Sequence, residues 1–126
     1  MKALVLAALV LIAGCAHRVP VVGITPGLHP RLTAAAAEQL ARDAIDAMDI
    51  IRPGSRHVLD VEAITAIPGG PTVGGYLAGV SWIVRARGDF LERVGFWTDP
   101  AFRAVGGVIL HIFDDDGSLI SADFTD

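Results

Sequence analysis

The order of apolar and polar positions divides the 126-residue chain into stretches of different period. An unbroken apolar run fills Ala3–Ala13, with Lys2 before it and Gly14 and Cys15 after it. Residues 16–30 keep no period of either 2 or 3.6. Pro20, Gly23, Pro26, Gly27 and Pro30 interrupt short aliphatic pieces there, which reads as an extended tether. From Thr33 to about Ile51 the pattern turns helical: Ala37, Leu40, Ala41, Ala44, Ile45, Met48 and Ile51 make one stripe, and Glu38, Gln39, Arg42, Asp43, Asp46 and Asp49 take the other side. Thr33 suits the N-cap, and Pro53-Gly54 stops the helix.

Beyond the helix the period falls to 2. His57–Ile67 alternates, with Leu59, Val61, Ala63 and Thr65 set against Asp60, Glu62 and Ile64, as in a half-buried strand. Pro68-Gly69-Gly70-Pro71 through Gly75 reads as a loop. A second strand follows, with Val80, Trp82, Val84 and Ala86 toward the core, Ser81, Ile83, Arg85 and Arg87 away from it, and Gly88 as its end. Residues 89–103 are less regular and carry Phe90, Phe96, Trp97 and Phe102, with Thr98-Asp99-Pro100 suggesting a short helical turn. The rings either complete a thin Val/Ala core or form an exposed apolar loop that meets a partner or lipid. Residues 107–113 and 118–124 read as a hairpin closed by Asp114-Asp115-Asp116-Gly117, with the glycine left-handed. The expected fold is α+β: one amphipathic helix on an antiparallel sheet of about four strands, in a domain spanning residues 31–126.

The start of the chain changes how the composition is read. Eleven apolar residues are too few to span a bilayer, and Lys2, the apolar run and the small residues after it have the layout of a secretory signal over residues 1–14. Ile12-Ala13-Gly14-Cys15 resembles the lipobox of bacterial lipoproteins. That resemblance implies cleavage before Cys15, a diacylglycerol on its sulfur and a membrane anchor without a transmembrane helix. Ala16, where an inner-membrane retention signal has Asp, implies the outer membrane in a two-membrane bacterium. Without residues 1–14 the chain keeps nine arginines against fourteen acids, so its charge is about −5 rather than −4. Such a balance argues against a nucleic-acid partner, whose phosphates demand a basic footprint.

Candidate chemistry is sparse. Asp43, Asp46 and Asp49 form a carboxylate row that suits a solvated helix face. The Asp-rich turn resembles a calcium loop only in part, because Ile112 stands where the first carboxylate belongs. His17 with His29, and His57 with His111, are two-ligand sets short of a metal site, and none of Ser55, Ser81, Ser118 or Ser121 lies in Gly-x-Ser-x-Gly. No catalytic constellation, cofactor motif or metal site is expected. Arg85 and Arg87 either present two guanidinium forks to an acidic ligand or pair with Asp60 and Glu62 on a neighbouring strand. The candidate binding residues are thus Trp82, Arg85, Arg87, Phe96 and Trp97, with Cys15 for lipidation.

The Ala-rich helix Thr33–Ile51, the strand Ser81-Trp82-Ile83-Val84-Arg85 and the hairpin Phe113-Asp114-Asp115-Asp116-Gly117-Ser118-Leu119-Ile120 together resemble the cystatin-like arrangement, in particular bacterial PepSY-type domains. The resemblance implies a non-catalytic envelope domain that binds or inhibits another protein. The alternative is a small module that takes an apolar ligand between helix, sheet and the Phe90–Phe102 segment.

Overall fold

The computed structural model describes residues 19–48, 50–51, 59–69, 71–72, 75–76, 79–96 and 99–126, with residues 71, 72, 75, 76, 96, 99 and 100 described through the backbone alone. Its elements run β1 (Val21–Ile24), α1 (Ala34–Met48), β2 (Asp60–Pro68), β3 (Pro71–Thr72), β4 (Gly75–Tyr76), β5 (Val80–Phe96), β6 (Asp99–Phe113) and β7 (Leu119–Thr125). One helix packs on a five-stranded mixed sheet of order β1-β2-β5-β6-β7, and β3 and β4 make a minimal hairpin of their own. The signal over 1–14, Cys15, His17, Asp49, Ser55, His57 and Trp97 lie outside the described residues.

Local chemistry sets the helix. Thr33 caps it: its Oγ1 accepts from Ala36 N at 3.1 Å and its carbonyl accepts from Ala37 N at 3.0 Å. Ala37, Ala41 and Ile45, one stripe at i, i+4 and i+8, are fully buried against the sheet. Two alanines in that stripe let the helix lie close, so the bulk of the core comes from the sheet: Trp82, Phe90, Ile64, Leu110 and Ile112. Asp43 and Asp46 are exposed, as a solvated face requires.

Three expectations are corrected by pairing between distant residues. Residues 21–24, expected within a tether, form β1 parallel to β2, with Val21 opposite Ala63 and Ile24 opposite Ala66. The sheet is therefore mixed, α1 is the crossover that parallel strands need, and the folded unit begins by residue 21 rather than 31. In β2 the register shifts between Val61 and Ala63, and Glu62 is the extra residue of a bulge. The bulge reverses the alternation, so Val61, Ile64 and Ala66 face the core and Ala63 and Thr65 do not.

The third correction concerns residues 89–103. They contain no helical turn at Asp99-Pro100, because β5 and β6 stay paired from Ser81 with Phe113 out to Phe96 with Asp99. A bulge at Gly88-Asp89 lets β5 continue past its expected end. Gly88 leaves the space that the Phe90 ring fills, for a Cβ there would lie 2.8 Å from the ring. β2 and β7 pair with these strands only as far as Arg87 and Gly107. Past Phe90 and Val105 the hairpin is thus a two-stranded arm, joined at its root by the Leu91 N–H to the Ile50 carbonyl at 2.7 Å.

The Asp-rich turn is as expected at its tip and does more at its base. Gly117 has φ +73°, and Phe113 N donates to Ser118 O at 2.8 Å. Asp116 Oδ1 accepts from Ser118 N at 2.9 Å and from its Oγ at 2.6 Å, which holds that carboxyl below its usual range. Asp114, 5% exposed, reaches into the fold: Oδ2 accepts from Arg31 N at 2.7 Å, and Oδ1 accepts from Leu32 N at 2.9 Å and from Trp82 Nε1 at 2.8 Å.

Candidate functional site

The helix-side face of the sheet is filled, and the candidate residues outside the core lie on the other face or on the arm. On the helix-free face Ile83, His111 and Ser121 form one row across β5, β6 and β7, and Arg85, Ile109 and Asp123 form the next. Ile83, Ile109 and His111 are half-buried and Arg85 is exposed. Arg85 has no ion-pair partner among the described residues, whereas Arg87 Nε lies 3.3 Å from Glu62 Oε1 and its Nη1 donates to the Asp126 carbonyl at 3.0 Å. The bulge places Glu62 beside Arg87, so of the two anticipated forks one is used inside the sheet and one stays open.

The five candidate residues do not converge. Trp82 is fully buried under α1 with its indole N–H on Asp114, so it is a core residue and not a contact surface. The chain reaches Phe96 eleven residues beyond Arg85 on β5, about 35 Å along the strand. Phe96 pairs with Asp99 at the end of the arm, and Trp97 lies outside the described residues. The aromatic segment divides instead: Phe90 is 1% exposed in the core, and Phe102 is 62% exposed on the arm. Glu92 and Arg103 pair across the arm at 2.5 Å.

One contact was not anticipated. Ser121 Oγ and His111 Nδ1 lie 2.9 Å apart across β6 and β7. Their register, not any local motif, joins them, and the only sequence signal was that both fall on one face of the final hairpin. The strand carrying His111 is paired on both sides here, so its backbone N–H groups serve the ladder rather than an oxyanion. Among the described residues no three His, Cys, Asp or Glu side chains converge as metal ligands. The three turn aspartates have partners: Asp115 pairs with Arg31 at 3.2 Å, Asp114 binds the Arg31 and Leu32 amides, and Asp116 binds Ser118. A depression at the root of the arm, lined by Ile51, Leu59, Gly88, Asp89 and Phe90, measures about 40 Å³. Small-molecule sites run to about 300 Å³ or more, so this one does not suit an apolar ligand.

Ser81, on the helix-free face, is fully buried and its Oγ has no hydrogen-bond partner among the described residues. An unpaired buried hydroxyl costs about 1–3 kcal/mol, so Ser81→Ala is expected to raise stability by about 1 kcal/mol, read as a higher urea midpoint with unchanged m.

No family model, curated protein or solved structure matches the chain. The functional reading therefore rests on the residues themselves.

Proposed function

We propose that this chain is a lipid-anchored bacterial envelope lipoprotein, in the outer membrane where the cell has two, whose cystatin-like, PepSY-type domain binds another envelope protein and catalyses no reaction. The anchor reading rests on Ile12-Ala13-Gly14-Cys15 directly after an eleven-residue apolar run. The cystatin-like reading is supported by the order of elements after β1: a helix, then β2, β5, β6 and β7 as an antiparallel meander that the helix crosses.

The observation that carries a binding role is the helix-free face, where an open guanidinium at Arg85 stands among the apolar side chains of Ile83 and Ile109. The rest of that face is mixed, with His111, Ser121 and Asp123 beside the two isoleucines; Arg is a common anchor at protein interfaces, and its planar fork suits a partner carboxylate. The non-catalytic reading is supported by the backbone around His111, which β5 and β7 engage on both sides.

The test uses the full chain in its host membrane. Cys15→Ser is expected to move the protein from the membrane to the soluble fraction. A photo-crosslinker at Ile83 is expected to trap a discrete partner, and the adduct is expected to vanish with Arg85→Glu. A Cys15→Ser variant that stays with the membrane defeats the anchor reading. A crosslinker at Ile83 that traps no more than one at Asp43, on the solvated helix face, defeats the binding surface.

A further inference from the structure

The start of β1 and the arm lie at the same end of the sheet. Because β1 is parallel to β2, and β2 antiparallel to β5, the N-terminal end of β1 lies toward the C-terminal end of β5, where the arm leaves the sheet. The described chain therefore begins on the arm's side of the sheet. Six residue steps separate Val21 from Cys15, and six residues of fully extended chain span at most about 22 Å. In the sheet Val21 stands in the row of Ala63 and Arg85, and from Arg85 to Phe96 the strand runs about 35 Å. Measured from that row, the tip of the arm lies farther out than the leash from Val21 to Cys15 can reach.

The surface of the arm fits a lipid contact that is not electrostatic. Phe102 is 62% exposed on one side of the ribbon and Val94 is 36% exposed on the other. Its charged residues Glu92, Arg93, Asp99 and Arg103 cancel, and Glu92 and Arg103 pair with each other. Phe is among the residues that interfacial segments bury at the boundary of headgroups and acyl chains. Past Arg87 and Gly107 neither β2 nor β7 pairs with the arm's outer edges, and open strand edges are not tolerated in hydrocarbon. That condition limits the arm to the headgroup layer and requires it to incline along the surface rather than pierce it, which also brings the distant tip and the shorter leash to one surface.

We infer that the arm of Leu91–Phe96 and Asp99–Ala104 docks in the headgroup layer of the same membrane that holds Cys15, giving the domain a second point of contact and a fixed orientation. The inference rests on the lipoprotein reading. The helix-free face with Arg85 would then stand to the side of the contact, open to a partner.

The experiment uses the full lipidated chain in phosphatidylcholine–phosphatidylethanolamine vesicles. The sequence has a single cysteine, and acylated Cys15 takes no thiol label, so one introduced cysteine reports alone. A fluorophore is placed at Phe102→Cys or Val94→Cys on the arm, and at Ala35→Cys, exposed at the helix start beside the Asp114 turn. A nitroxide on the lipid headgroup is expected to quench the arm labels at least about twofold more than the helix label, as for side chains seated at the interface. The difference is expected to persist on raising salt tenfold, because the contact is not one of charge. Equal quenching at the arm and at Ala35 in vesicle-bound protein overturns arm docking and leaves the anchor standing. Wild-type protein that takes thiol label at Cys15 and fails to sediment with vesicles overturns the lipoprotein reading, and the docking inference falls with it.

Discussion

Asp114→Ala is expected to destabilise the domain by about 3–5 kcal/mol, because it strands the Trp82 indole N–H and the amides of Arg31 and Leu32, each at a cost of about 1–3 kcal/mol, with some of that recovered by water. Domains of this size are stable by about 5–15 kcal/mol, so the loss is a large share of the total. The single carboxylate ties three places together: the turn that carries it, the segment that leads into α1, and the largest side chain of the core. Asp114→Asn keeps the shape and one acceptor oxygen but brings an NH₂ against donors, so it is expected to cost roughly half as much. Urea unfolding of both variants beside the wild type checks the order.

The same residue sets an acid limit. Burial pushes the Asp114 carboxyl upward, but the Arg31 and Leu32 amides, the Trp82 indole and the Arg31 charge together outweigh it and hold the carboxyl below the usual carboxylate range. A carboxyl whose folded value is depressed binds its proton more readily in the unfolded chain. Its contribution is therefore complete above the unfolded value, about pH 4, and is lost as pH falls from there through the folded value. Asp116, held low by Ser118, titrates in the same direction. Stability measured from pH 7 down to pH 2 is expected to fall less steeply in Asp114→Asn than in the wild type. An equal slope in the two proteins would show that other carboxyls carry the acid sensitivity.

Phe90→Ala is expected to cost about 3–5 kcal/mol, as truncation of a fully buried aromatic does. The position matters beyond its volume. Phe90 and Val105 face each other on the last core-facing rung before the arm, and the ring occupies the space above Gly88. A Cβ at Gly88 meets that ring at 2.8 Å, so Gly88→Ala must displace it and is destabilising in the wild type. In the Phe90→Ala background the obstacle is gone. A double-mutant cycle is therefore expected to show coupling of about 1–2 kcal/mol between the two positions, with the Gly88→Ala penalty nearly abolished once the ring is removed. Additive losses would mean that the ring does not depend on the glycine.

The two sites also show why part of this structure was legible in advance and part was not. The Thr33 cap, the Ala37/Ala41/Ile45 stripe, the alternation of Trp82, Val84 and Ala86, and the left-handed Gly117 follow from residues within a few positions of each other. The proposed lipobox, Ile12-Ala13-Gly14-Cys15, is a local pattern of the same sort and stands as a proposal. Arg85 and Arg87 were correctly placed away from the core by period alone, yet which of them stays open depended on a bulge that moved Glu62 beside Arg87.

The kind of most elements, the direction in which the helix and the Trp82 strand face, and the closing turn are written in short stretches of residues, since these depend on backbone geometry and on short-range periodicity. Only the tertiary structure decided where strands end and what they pair with. Val21-Val22-Gly23-Ile24 is β-branched but short and set between Pro20 and Pro26, so it shows no strand period of its own, and it becomes a strand because β2 offers it an edge. Gly88, Gly95 and Pro100 look like breakers, and are carried in a strand because each partner supplies the ladder that local propensity lacks. Asp114 reads as a turn residue, and becomes a clamp because donors more than thirty residues away converge on it. Strand pairing joins residues far apart along the chain, so no local window contains both partners.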